Sequence, residues 1–282
     1  MRNPMGRRLL FSFLSLLILM GCSDFRKIQK STDWREKYDA AIRYYERGDK
    51  GDYIKASMLF EEILPIIRGM PEAENANFYY AYCHFYQHLY VEGAFYFKSF
   101  YETYSRSEFA MESMYMYAYS LFMDSPVEEL DQSSSEEAIA AMQQFLNLHP
   151  ETQYTGQATA TINELQRKLE SKAYNNALLY KKLSKHNSAV IAFENFNKDF
   201  PDSQYNEEVN FLKLESQYLY AKRSISSKQK ERYEKAIDIY NYFVENYSDS
   251  RFAKDAERIN NDCRKWMNEF ISNNKVLESN NN

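Results

Sequence analysis

Two histidines, His84 and His88, stand four residues apart in a helical pattern, a spacing that can bring two imidazoles to one metal ion. No glutamate follows His84 as in the H-E-x-x-H of zinc proteases, and no third ligand is evident, so no metal is expected. One of the two is read as packed between helices and the other as lying at a solvated edge. The paired carboxylates Glu61-Glu62, Glu128-Glu129 and Glu207-Glu208 are adjacent in sequence. Adjacent side chains on a helix point apart, so these pairs read as solvated faces, not as an acid and a base across a substrate. There is no G-x-S-x-G, no glycine-rich phosphate loop and no Cys–His pairing. The residues support neither catalysis nor a cofactor.

One cysteine does carry chemistry. Arg2, Arg7 and Arg8 precede an apolar run from Leu9 to Met20, too short for a bilayer span of roughly 20 residues but suited to the core of a signal peptide. The run ends in Leu19-Met20-Gly21-Cys22, similar to a lipobox, in which the cysteine thiol takes a diacylglycerol before cleavage. Met20 is bulkier than the usual residue there. Residues 1–21 are therefore expected to be removed and Cys22 to become an acylated first residue, its covalent lipid the only added group. Several acyl chains on one residue hold a protein at a membrane where a single chain does so marginally. Ser23, in place of an aspartate, implies sorting to the outer membrane, and 24–27 lacks an acidic run that would signal surface display. A periplasmic face is expected.

The other two cysteines, Cys83 and Cys263, lie near opposite ends of the chain and are read as buried free thiols. The formal net charge of −5 argues against a nucleic-acid partner. Seven glycines and six prolines in 282 residues are too few for hairpin-rich β architecture. With 25 tyrosines, the chain holds many rings that must pack or form a recognition surface.

An internal repeat positions those rings. Its anchor is an aromatic or similar residue, then Pro or Ser, then Ser or Thr two positions later: Tyr104-Ser105-Arg106-Ser107, His149-Pro150-Glu151-Thr152, Phe200-Pro201-Asp202-Ser203 and Tyr247-Ser248-Asp249-Ser250, with a weaker Met70-Pro71-Glu72-Ala73. Met70 to Tyr104 is 34 residues, the tetratricopeptide period; the later spacings of 45, 51 and 47 need insertions. Eleven residues before the four strong anchors stand Gly93, Ala138, Ala189 and Ala236, and seven before them Phe97, Met142, Phe193 and Tyr240. Four before them stand Phe100, Phe145, Phe196 and Phe243, and five after them Phe109, Tyr154, Tyr205 and Phe252. Small, large and aromatic residues at spacings of four and three make one apolar stripe on a helix, the small residue letting a partner helix approach. The Ser or Thr is a candidate N-cap, and Pro stops the helix before it.

The fold class read from this pattern is all-α, a tetratricopeptide-like right-handed superhelix of about five helix pairs plus a C-terminal capping helix. Helices are expected at 34–47 and 52–68, 74–88 and 91–104, 107–123 and 134–148, 153–183 (with a break near Asn175-Asn176) and 187–199, 203–223 and 229–247, then a capping helix at 250–272. Residues 22–33 read as a linker from the anchor, 34–123 as N-terminal repeats and 124–135 as a loop insertion. Residues 136–272 read as C-terminal repeats with the cap, and 273–282 as a disordered tail. Tetratricopeptide geometry then turns Asn75, Tyr79, Tyr82 and Tyr86 towards a concave groove, joined by Glu112, Met116 and Tyr119 from the next pair. Tyrosine offers flat apolar faces and a hydroxyl at low entropy cost, and asparagine can bond a peptide amide, so the group is a candidate peptide site. Tyr38 and Tyr44 of the first pair mark the alternative location.

A lipobox followed by about five such pairs resembles the BamD family of β-barrel assembly lipoproteins, most specifically in Tyr79 to Tyr104, in Asp131-Gln132 leading into Ala138–Tyr154, and in Ala189 to Tyr205. The resemblance implies a scaffold role in inserting barrel proteins into the outer membrane. It also implies C-terminal repeats that contact a core barrel subunit through its periplasmic repeat domains, and an N-terminal groove that receives unfolded outer-membrane clients. Ala192 stands where the family often carries an arginine for partner contact, which puts that contact in doubt. Two other classes stay open. Glycan-capture lipoproteins on tetratricopeptide helices are much longer and stack sugars on tryptophans, whereas here the tryptophans are Trp34 and Trp266, at the two ends. A tetratricopeptide organiser of cell-wall enzymes fits the same pattern.

Overall fold

Each strong anchor closes one helix and opens the next. In the computed structural model, which describes residues 24–280, the backbone N–H of Tyr104, His149, Phe200 and Tyr247 donates to the carbonyl of the phenylalanine four residues earlier at 2.7–2.9 Å. The Ser or Thr three residues on then accepts from the N–H two residues later: Phe109, Tyr154, Tyr205 and Phe252 donate at 3.0, 3.2, 3.0 and 3.0 Å. The hydroxyl thus caps a short entry turn, and the helix proper starts two residues later than a direct N-cap would place it.

The helices that result are α1 (Trp34–Arg47), α2 (Lys50–Ile63), α3 (Glu72–Tyr86), α4 (Tyr90–Thr103), α5 (Ala110–Asp124), α6 (Ser133–Leu148), α7 (Thr155–Lys182), α8 (His186–Asp199), α9 (Asn206–Lys222), α10 (Ser226–Asn246) and α11 (Ala253–Asn280). No strand occurs among the described residues. The chain forms two compact units that meet inside α7, one ending at Leu165 and the other starting at Gln166. In the first, α1 pairs with α2, α3 with α4 and α5 with α6, and α2 and α4 also pack on the helices that follow them. In the second, α9 packs on α8 and α10, and α11 covers α9 and α10. Successive helix pairs of this kind are the tetratricopeptide-like arrangement.

The repeat columns are the cores. Phe97, Phe100, Met142 and Phe145 are buried in the first unit, and Phe193, Phe196 and Phe243 in the second. The aromatic after each anchor lies flat on a ring of the preceding first helix: Phe109 on Phe78 at 4.4 Å, Tyr154 on Tyr115 at 4.4 Å, Tyr205 on Tyr174 at 4.5 Å and Phe252 on Phe211 at 4.6 Å. Stacking of this kind adds about 0.5–1.5 kcal/mol to what the buried area contributes. Gly93 shows why its column is small. A Cβ there would sit 3.4 Å from the Phe85 backbone nitrogen and 3.6 Å from the Ser120 hydroxyl. Gly93→Val is expected to cost about 1–3 kcal/mol by overpacking while Gly93→Ala is tolerated; equal thermal midpoints for the two variants would overturn this.

Several boundaries differ from expectation. α2 ends at Ile63 instead of 68, because Pro65 cannot donate to the helix ladder. α7 runs unbroken through Asn175 and Asn176, and the Asn175 amide turns to the Ser171 hydroxyl one turn back at 3.4 Å. The loop after α5 spans only 125–132, and the buried Gln132 pins it by donating to the Val127 and Leu130 carbonyls at 2.8 and 3.1 Å. Within the expected linker, 24–30 is helical, with the Phe25 ring edge-on to Tyr44 at 5.7 Å. The last helix reaches Asn280, past the expected end at 272. Cys22 and the signal segment lie outside the described residues.

Candidate tyrosine groove of the first unit

Tyr79, Tyr82 and Tyr86 share one face of α3 at spacings of three and four. The fold gathers them around Tyr45 of α1, whose ring centre lies 4.6 Å from Tyr79 and 6.4 Å from both Tyr82 and Tyr86. Tyr53 of α2 closes the group, 5.8 Å from Tyr45 and stacked on Tyr86 at 4.7 Å. Tyr86 also stacks on Tyr82 at 5.5 Å. Five tyrosines from three helices therefore form one aromatic cluster.

Polar groups stand at its two ends. Asn75, exposed on the first turn of α3, hydrogen-bonds the Tyr38 side chain. Glu112 of α5 accepts a short hydrogen bond from the Tyr82 hydroxyl and bonds the Tyr154 side chain. Burial, and then the surrounding phenols, push the Tyr45 hydroxyl far above the ordinary phenol range. For Tyr82 burial is again the main cause, followed by the bond to Glu112. Both hydroxyls stay protonated, so the cluster offers neutral rings and donors to whatever lies on it.

Exposure divides the expected residues. Tyr86 is 39% exposed and Tyr79 half-buried, whereas Tyr82 at 8% and Met116 at 7% belong to the core. The reason lies in α3 itself: Tyr82 falls on the border of the core stripe, edge-on to Phe78 at 5.1 Å and to Phe97 at 4.9 Å. Met116 sits one turn before Ser120, whose buried hydroxyl donates back to the Met116 carbonyl at 2.7 Å. Tyr119 joins from the side, 5.9 Å from Phe85, which itself touches Tyr86 at 5.6 Å. Tyr45 and Tyr53 are not among the expected residues; the first pair closes on only the weak anchor Met70-Pro71, which does not set their register.

The other candidate chemistry resolves into structure. His84 is wedged between Tyr80 at 4.7 Å and Tyr96 at 4.8 Å, and burial lowers its pKa. His88 lies beyond the end of α3 at φ 65° and meets the Tyr90 hydroxyl at 2.7 Å through Nδ1, so helical spacing does not carry to it. Among the described residues no group of His, Cys, Asp and Glu could hold a metal ion. Cys83 and Cys263 are buried free thiols. Adjacent carboxylates part to different partners: Glu207 accepts from Ser250 at 2.6 Å while Glu208 pairs with Arg251 at 3.2 Å. Ala192 packs against the core of the second unit.

Two further columns emerge only in three dimensions. Glu74 accepts from Ser107 as Glu207 does from Ser250, and Asn77 and Asn210 each reach an anchor tyrosine, Tyr104 and Tyr247, at 3.4 Å. The same polar latch thus recurs in both units, tying a first helix to the anchor that follows it.

No helix of the described residues is long and apolar enough to cross a membrane. A sequence profile of the outer membrane lipoprotein family YfiO matches residues 32–231, which covers every helix from α1 to α9 and the start of α10. No curated protein matches the chain.

Proposed function

From the premise that this chain belongs to the YfiO family of outer membrane lipoproteins, we propose that it is a lipid-anchored, periplasm-facing scaffold of β-barrel assembly that binds unfolded barrel clients and a core barrel subunit. The carrying observation is the tyrosine cluster of the first unit. An unfolded barrel protein characteristically ends in an extended strand with alternating apolar residues and a terminal aromatic. Such a strand needs flat apolar faces and side groups that bond a free backbone. Tyr45, Tyr53, Tyr79 and Tyr86 offer the faces; Asn75 and Glu112 offer the bonding groups at either end. We assign the core-subunit contact to the second unit, on the family resemblance of the C-terminal repeats.

Tyr86→Ala is expected to weaken binding of a C-terminal barrel peptide by more than about 1 kcal/mol, within the range of interface hot spots. Its ring is partly exposed, so helical circular dichroism should stay near wild type. Tyr82→Ala is the wrong probe, since its buried ring would take the fold with it. Unchanged affinity in a folded Tyr86→Ala variant would move the site elsewhere. Purification from membranes tests the wider role: a barrel protein with periplasmic repeats should accompany the chain, and a peptidoglycan synthase in its place would sink the proposal.

A further inference from the structure

Among the described residues Glu112 is the carboxylate bonded into the tyrosine group. Its side chain is half-buried, it accepts from the Tyr82 hydroxyl, and it lies in hydrogen-bonding reach of Tyr154. Among the described residues it has no ion-pair partner, whereas Glu62, Glu194 and Glu208 each have a lysine or arginine. Desolvating a carboxylate without a counter-charge is costly, and two phenol hydroxyls offset only part of that.

We propose that Glu112, with the hydroxyls of Tyr82 and Tyr154, is a subsite for a basic side chain of the bound peptide, so that the groove selects extended segments carrying a lysine or arginine beside their apolar residues. This presupposes that the cluster receives an extended peptide. Three features of the chemistry fit. An ammonium has three donors, and the remaining lone pairs of the carboxylate and the two phenol oxygens can supply three acceptors. The methylene stem of lysine or arginine packs on apolar surface while its head stays polar, and the exposed Tyr86 ring offers such a surface. A divalent metal ion is a poor rival, since it demands several oxygen ligands with more charge than one carboxylate supplies.

The test uses the full-length protein and dye-labelled peptides of about ten residues that end in an aromatic residue, with one internal position varied among lysine, norleucine and glutamate. Fluorescence anisotropy is expected to show the lysine peptide binding about five- to tenfold more tightly than the norleucine peptide, and the glutamate peptide weakest. In Glu112→Gln, which keeps an acceptor for the phenols, the ratio of lysine to norleucine affinity should fall to about one, whatever happens to the affinity common to both peptides. Equal affinity of wild type for lysine and norleucine peptides overturns the subsite and leaves the peptide groove standing. A lysine advantage that survives in Glu112→Gln also overturns it, by placing the selecting charge elsewhere. Failure of every peptide to bind removes the groove itself, and the subsite with it. If the variant misfolds by near-UV circular dichroism, the wild-type comparison of the three peptides still decides.

Discussion

Phe196→Ala is expected to destabilise the second unit by about 3–5 kcal/mol, the usual cost of deleting a fully buried aromatic. The ring is 1% exposed and lies within 5.2–6.5 Å of Tyr174, Phe200 and Tyr205. It is also the residue whose carbonyl accepts from the anchor N–H of Phe200 at 2.9 Å, so loss of the ring loosens both the core and the turn that opens α9. Domains are stable by only about 5–15 kcal/mol in total, so this loss is a large share. Because a stacked array is held by neighbouring contacts, the effect should be local. Hydrogen exchange should quicken in α8, α9 and the last turns of α7, and much less in α1 to α3. An unchanged thermal midpoint, or protection lost evenly along the chain, would show that the register of the phenylalanine column is misread.

That column explains why most of the fold could be read from sequence. Four aromatic or small residues in fixed register each do one job: Phe at the core, a small residue at the crossing, an anchor at the helix end and an aromatic lid after it. Where the columns are intact, helix limits fall within a few residues of expectation. They drift where local chemistry departs from the repeat. Pro65 ends α2 early, and Gln132 folds the loop after α5 back on itself so that α6 begins by Ser133. The Asn175-Asn176 pair suggested a break, yet Ala173, Tyr174, Ala177 and Leu178 continue the apolar stripe through it and pack in one cluster. Packing outweighed propensity there.

The candidate site was legible only in part, for a geometric reason. On α3 the helical spacing set the register, and Tyr79 and Tyr86 lie in the aromatic cluster, one half-buried and the other exposed. Neighbouring residues of a helix point about 100° apart, so an error of one position exchanges core and surface. In the first pair, where no strong anchor exists, that is the difference between Tyr44 and Tyr45. Tyr44 is buried, 7% exposed, while Tyr45 is the hub of the cluster. Tyr82 and Met116 show the opposite error, since border residues of an apolar stripe turn inward once a phenylalanine such as Phe97 offers an edge to pack on. The polar latches of Glu74 and Asn77 had no local signal, because their partners lie 33 and 27 residues away.

Cys22→Ala, placed behind a cleavable signal peptide of ordinary type so that processing still occurs, is expected to move the protein wholly from the membrane pellet to the soluble fraction. The motive is the Leu19-Met20-Gly21-Cys22 motif together with the family of outer membrane lipoproteins to which the chain belongs. Each buried methylene of an acyl chain contributes about 0.8 kcal/mol to membrane attachment, and two or more chains together make it stable. Labelled palmitate should enter the wild type and not the variant. Folding should be untouched, because Phe25 and Ile28, which follow the cysteine, pack against the core of α1 to α3. Removing residues 24–31 is the contrasting change: it strips Phe25 from Tyr44 and should lower the thermal midpoint even in a soluble protein. A Cys22→Ala protein that stays in the pellet after a high-salt wash would show that something other than acyl chains holds it to the membrane.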